Sequence, residues 1–132
     1  MATAKVEKFE DLVAWQKARV LRRAVYRMTK TTPAARDRDF CSQIRRAAVS
    51  VMSNIAEGFE RGGRAEFHQF LSTSKASCGE VRSLLYAALD EEYINDASFK
   101  SLYDQAEEVG RIIGGLRAAV ARQRDARKVA PA

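Results

Sequence analysis

The chain has 132 residues, 46% of them hydrophobic and 30% charged, and its 23 Lys and Arg outnumber 17 Asp and Glu for a formal net charge of +6. That length is expected to form one globular domain with a real hydrophobic core. No apolar run approaches the roughly 20 residues of a membrane-spanning helix, and the N-terminal MATAKVEKFEDL lacks the apolar segment of a secretory signal, which places the protein in the cytoplasm.

Two prolines, seven glycines and almost no strand-like alternation leave helix as the dominant element. A first helix is expected over residues 11–30, opened by the acidic Glu10 and Asp11 and ended before Pro33. Its apolar arc reads as Val20, Leu21, Ala24, Val25 and Met28. Lys17 projects into that arc, so it must snorkel or pair with a carboxylate, with Glu57 and Glu80 as the candidates. A second helix spans 37–61 on the seam Phe40, Ile44, Ala48, Val51, Ile55, Phe59, and Gly62-Gly63 stops it. A third spans 64–91 with Phe67, Leu71, Ser74, Cys78, Val81, Leu85 and Ala88 in alternating steps of four and three. A fourth spans 95–125, with Asn95 as N-cap and Ile94 and Phe99 placed for a hydrophobic staple. Its seam of Phe99, Leu102, Ala106, Val109, Ile113, Leu116 and Val120 has the 3-4 spacing of bundle packing. Residues 1–8 and 127–132 read as frayed ends. The short connections imply an all-α, antiparallel up-down-up-down four-helix bundle in a single domain.

The charges are uneven along the chain. Residues 1–32 carry eight cations against three carboxylates. Arg19, Arg22, Arg23 and Arg27 fall opposite the apolar arc, with Trp15 and Tyr26 among them. Arginines interleaved with aromatics suit phosphate neutralisation and base stacking, a plainly solvated face being the alternative for the arginines. Trp15 equally fits a subunit interface, where aromatics and Arg are enriched, or plain packing at the rim. In an up-down-up-down bundle Arg61, Arg64, Arg117, Arg122, Arg124, Arg127 and Lys128 gather at one pole with Lys5 and Lys8. The nucleic-acid candidates are therefore Arg19, Arg22, Arg23, Arg27, Arg61, Arg64, Arg122 and Arg124.

Beside the apolar stripe of the second helix runs a polar row, Gln43, Arg46, Ser50, Asn54, Glu57 and Arg61, at steps of three and four. Such a row reads as a hydrogen-bonded seam that sets helix register or subunit contact, together with Trp15, Lys17 and Glu80, direct contact with a ligand being the alternative. Gly58 beside it allows a neighbouring helix to come close. Catalysis finds no support: the serines have no histidine in reach, no Glu-x-x-His pair suggests a metal, and no Gly-rich loop suggests a nucleotide cofactor. His68 is the only histidine, and no metal or cofactor is expected. Cys41 and Cys78 lack metal-ligand spacing and read as reduced core thiols, a disulfide or a reactive thiol being the alternative.

The stretches FEDLVAWQKARVL, QIRRAAVSVMSNIAEGFERG and EFHQFLSTSKASCGEV, in order over residues 9–94, resemble the four-helix-bundle proteins encoded in intervening sequences of 23S ribosomal RNA genes. SNIAEG at Ser53–Gly58 followed by Arg61 carries most of the likeness. The resemblance implies a ring-like homopentamer. It extends to the accessory variability proteins of diversity-generating retroelements, basic pentamers that bind nucleic acid and a reverse transcriptase. The segment TTPAARDRDFCSQ is longer than usual for the family, and Ala76 replaces a common glycine. The leading functional expectation is a non-enzymatic homo-oligomer that binds RNA or DNA through phosphates. The alternative is a scaffold for a reverse transcriptase or ribosome-associated protein, without direct nucleic-acid contact and without a membrane role.

Overall fold

The structure, a computed structural model, describes residues 5–129, with side chains through residue 126. Four helices follow one another, α1 (Val13–Thr31), α2 (Arg38–Glu60), α3 (Arg64–Asp90) and α4 (Asp96–Val129), with 3₁₀ turns at Phe9–Asp11 and Pro33–Arg36. No strand occurs among the described residues. Contacts pair rising numbers on one helix with falling numbers on the next, as oppositely running neighbours do. Ser74 and Ser77 reach Val51 and Ser50, Tyr93 reaches Asp37, and Ser72 and Arg64 meet Arg117 and Gln123.

The seams of α2, α3 and α4 bury as their spacing requires: Ile44, Ala48, Val51, Ile55, Leu71, Val81, Leu85, Ala106 and Ile113 are fully enclosed. α1 departs from its expected arc. Its buried residues are Ala14, Ala18, Leu21, Val25, Met28 and Thr29, whereas Val20 is 51% exposed. The alanines carry little hydrophobic weight in a sequence, yet they mark where the helix approaches its neighbours most closely. The stripe is therefore rotated away from Lys17. Lys17 is exposed, and it pairs with Glu108 of α4 at 3.8 Å rather than with Glu57 or Glu80. An exposed pair at that distance contributes little to stability.

The helix ends also refine the expectation. Glu10 and Asp11 do not open α1; they belong to the 3₁₀ turn, and the extended Leu12 separates them from Val13. The Asp11 carboxylate accepts the Glu7 and Lys8 amides instead, at 3.0 and 3.2 Å. These bonds favour its charged form and lower its pKa. Asn95 caps α4 as expected, its Oδ1 accepting the Ser98 amide at 2.8 Å. α4 runs on to Val129, past the expected end at 125, because nothing in ARQRDARK interrupts a helix. Gly62 closes α2 in the left-handed region at φ 81°, where glycine bears no Cβ penalty.

α3 closes with a non-glycine in that same region, Glu92 at φ 59°. The Tyr93 amide donates to the Ala88 carbonyl and the Glu92 amide to that of Leu89, the two bonds of a Schellman motif. A side chain in this conformation costs roughly 1–2 kcal/mol, of which glycine returns part as lost chain entropy. Glu92→Gly should therefore raise stability by about 0.5–1 kcal/mol in urea unfolding, and a loss would show that the Glu92 side chain makes a contact that matters.

Next to this cap, the Tyr93 hydroxyl donates to Asp37 Oδ2 at 2.7 Å, tying the end of α3 to the residue that caps α2. That bond, with the Phe40 amide second, lowers the Asp37 pKa. The same bond raises the Tyr93 phenol to about 12. The depressed carboxylate lends stability above its unfolded value near 3.8, lost as pH falls through the lower folded value. The raised phenol lends stability below its unfolded value near 10, lost as pH rises through about 12. The latch is therefore closed throughout the neutral range. In Tyr93→Phe, carboxylate titration followed by NMR should show Asp37 moving back toward the ordinary aspartate value; an unmoved Asp37 would refute the linkage.

Candidate nucleic-acid interface

The outer face of α1 forms a continuous basic surface. Arg19, Arg23, Arg27 and Lys30 are exposed, and Arg22 is half-buried beside them. The Arg22 guanidinium lies 4.8 Å from the centre of the Tyr26 ring, and Lys30 lies 6.0 Å from it. Arg45 of α2 joins them at 4.9 Å, held there by an Nε–H bond of 2.8 Å to Thr29 Oγ1. Among the described residues none of these six cations takes part in an ion pair; the pairs found involve Lys17, Arg61, Lys100, Arg111 and Arg124. Positive charge left uncompensated on one rigid face is what phosphate binding requires.

The aromatics serve that face differently from the expectation. The Tyr26 ring is already occupied by arginines of its own chain, so it organises the cations rather than lying open to a base. Trp15 is half-buried against the Phe9 ring, at 5.1 Å edge-on, with Arg19 5.8 Å away. It seats the N-terminal 3₁₀ turn on the bundle. Arg45 was missing from the sequence-based set because its approach to Tyr26 is a contact between two helices. The one available signal was its position at the flank of the α2 apolar stripe.

At the pole where α3 begins and α4 ends, the basic residues gather but are largely engaged. Arg61 pairs with Glu57 at 3.0 Å and approaches Glu66 at 3.9 Å, with its guanidinium over Phe70. Arg64 Nε donates to Gln123, Arg117 Nε donates to Ser72, and Arg124 pairs with Asp125. Arg122 is exposed, and the side chains of Arg127 and Lys128 lie outside the described residues. His68 stands among these groups with its pKa lowered by burial first and by Arg117 and Arg124 next, which favours its neutral form.

The polar row of α2 lies along the outer seam with α3 over part of its length. Ser50 and Ser77 share a hydrogen bond of 2.8 Å, Asn54 Nδ2 donates to Ser50 Oγ at 2.9 Å, and Arg61 reaches Glu66. Gln43 and Arg46 face solvent, Arg46 meeting only Ser42 of its own helix. Glu80 is exposed as well. Gly58 sits against Phe67 and Phe70, where a Cβ would collide with α3.

Both cysteines are buried and unpaired. The Cys41 thiol donates to the Ala34 carbonyl at 3.1 Å, and burial pushes the Cys78 thiol up to about 12, where it is unreactive. Among the described residues no group of three His, Cys, Asp or Glu is placed to hold a metal ion, and no helix is long and apolar enough to cross a membrane.

Four long helices carry SNIAEG where Gly58 packs against α3. The family model of the 23S rRNA-intervening sequence protein matches residues 10–115. The chain belongs to that family. The match contains α1, its arginines and the whole polar row, while Arg117, Arg122 and Arg124 lie beyond it. A crystal structure of a protein of unknown function from the S23 ribosomal protein family of Bacteroides thetaiotaomicron VPI-5482 superposes with a TM-score of 0.74. It is 20% identical, and the alignment covers 80% of this chain and 98% of that one. At that identity the likeness concerns the fold. No curated protein matches.

Proposed function

We propose that the protein is a non-enzymatic, homo-oligomeric bundle of the cytoplasm that binds RNA or DNA through phosphate contacts on α1. The observation that carries this reading is the set of six cations, Arg19, Arg22, Arg23, Arg27, Lys30 and Arg45, none in an ion pair among the described residues. Val13 and Val20, 55% and 51% exposed on the same helix, support self-association, with a homopentamer as the expected ring. Repetition of one basic face around a ring multiplies a weak phosphate affinity through avidity. Recognition of this kind is largely independent of sequence, because phosphates carry no base identity.

Titration of the native assembly with structured RNA and duplex DNA tests the reading. Binding is expected at low salt, falling linearly on a log–log plot as salt rises. Absence of binding at low salt overturns it. The exposed valines also favour a second reading, a scaffold for a reverse transcriptase or ribosome-associated protein. That partner would stay bound at high salt and after nuclease treatment.

A further inference from the structure

A second charged surface lies on the other side of the molecule, between the outer edges of α3 and α4. Lys75, Gly79, Arg82 and Tyr86 follow one another along α3, and Tyr103, Glu107, Gly110 and Gly114 face them from α4. Lys75, Arg82, Glu107, Gly110, Arg111 and Gly114 enclose a groove of about 190 Å³. The Lys75-to-Tyr86 edge is about 16 Å long at the helical rise, room for several nucleotides. Gly110 and Gly114 leave its α4 wall low, and the Lys75 stem runs across Gly114, close enough that a Cβ there would lie 3.3 Å from Lys75 Cε.

Arg82 is the unusual member. Its Nε–H is buried without an acceptor, the only such side-chain atom among the described residues. Its guanidinium lies 5.9 Å from the centre of the Tyr103 ring. Neither Arg82 nor Lys75 is in an ion pair among the described residues, whereas Arg111 is held by Glu107 at 2.9 Å. A buried donor without an acceptor is costly, so Arg82 gains when its guanidinium turns outward to meet an arriving oxygen. One helical turn beyond Arg82, just outside the groove, Tyr86, 51% exposed, stands on Phe99 and Tyr103 at 4.9 and 5.8 Å. It is a supported aromatic platform with an open side.

We propose that this groove binds single-stranded nucleic acid, with phosphates on Lys75 and Arg82 and a base stacked on Tyr86. Charge selects an anion, and the guanidinium fork suits a phosphate. The enclosing residues include no aliphatic side chain, so an amphipathic helix finds no anchor pockets for its apolar face. A duplex keeps its base faces stacked inside and cannot present one to Tyr86, whereas a single strand can. The site shares no residue with the α1 face, so each stands or falls separately.

The test is fluorescence anisotropy of the full chain with a labelled oligothymidylate and with a labelled duplex. Tyr86→Ala should weaken single-strand binding about tenfold and leave duplex binding unchanged. Tyr86→Phe should bind the strand like wild type, since the ring alone is needed. Lys75→Ala, at an exposed position that cannot unfold the helix, should weaken the strand several-fold and lower its salt dependence. Four results overturn the proposal: absence of strand binding, Tyr86→Ala binding like wild type, Tyr86→Phe behaving like Tyr86→Ala, or equal loss on strand and duplex. So does displacement of the strand by inorganic phosphate at an ionic strength where chloride has no effect, because the groove would then be an anion site only. Arg23→Ala/Arg27→Ala separates the faces, since it should reduce duplex binding while the Tyr86 dependence of strand binding persists.

Discussion

Replacing Gly58 with alanine should destabilise the bundle by about 1–3 kcal/mol, although alanine is the better helix former. A Cβ on residue 58 would stand 2.6 Å from Phe70 Cβ and 3.1 Å from Phe67 Cδ1. The Phe70 Cβ is fixed to the α3 backbone, so no rotamer change relieves the clash and one helix must move away from the other. Helix propensity returns up to about 1 kcal/mol and does not offset that movement. Valine should cost more than alanine. Gly115 of α4 is the matched control, because a Cβ there meets nothing within 4 Å. Gly115→Ala should gain up to about 1 kcal/mol. Urea unfolding followed by circular dichroism reads both as shifts in midpoint at constant slope. Equal stabilisation by the two alanines would mean that α3 does not approach α2 as closely as described.

Removing Arg23 and Arg27 together should lower duplex affinity on the order of tenfold at low salt and reduce the log–log salt slope by about 1.8. Each cation that neutralises one phosphate releases close to one counterion, and the slope counts them. The pair is chosen because both side chains are exposed and neither is among the cations placed against an aromatic ring. Folding should be untouched, since exposed substitutions away from special contacts change stability by at most about 0.5 kcal/mol. Arg61→Ala is the contrast. Its guanidinium is held by Glu57 and Glu66, so it should leave the slope nearly unchanged. If Arg61→Ala lowers the slope and the α1 pair does not, the phosphates lie at the pole and the α1 reading is wrong.

The polar row of α2 illustrates how far spacing reaches. Its regularity suggests a structural seam; Ser50 and Arg61 reach Ser77 and Glu66 of α3, while Asn54 bonds to Ser50 of its own helix. Gln43 and Arg46 share the same spacing and stay in solvent. Periodicity assigns a residue to an edge of its own helix; it does not say whether a neighbour covers that edge along its full length.

Local rules were enough for the four helices, for the breaks at Pro33 and Gly62, for the Asn95 cap and for the seams of α2, α3 and α4, because propensity, capping and 3.6-residue periodicity act within a few residues. The family was legible too, since SNIAEG sits where Gly58 admits α3. What tertiary structure decided is which edges meet. It rotated the α1 stripe onto Ala14 and Ala18, gave Lys17 the partner Glu108, brought Arg45 to Tyr26, and set Lys75 and Arg82 across a groove from Gly110 and Gly114. Those are relations between residues far apart in the chain. They follow from how small side chains let helices approach, which no local pattern encodes.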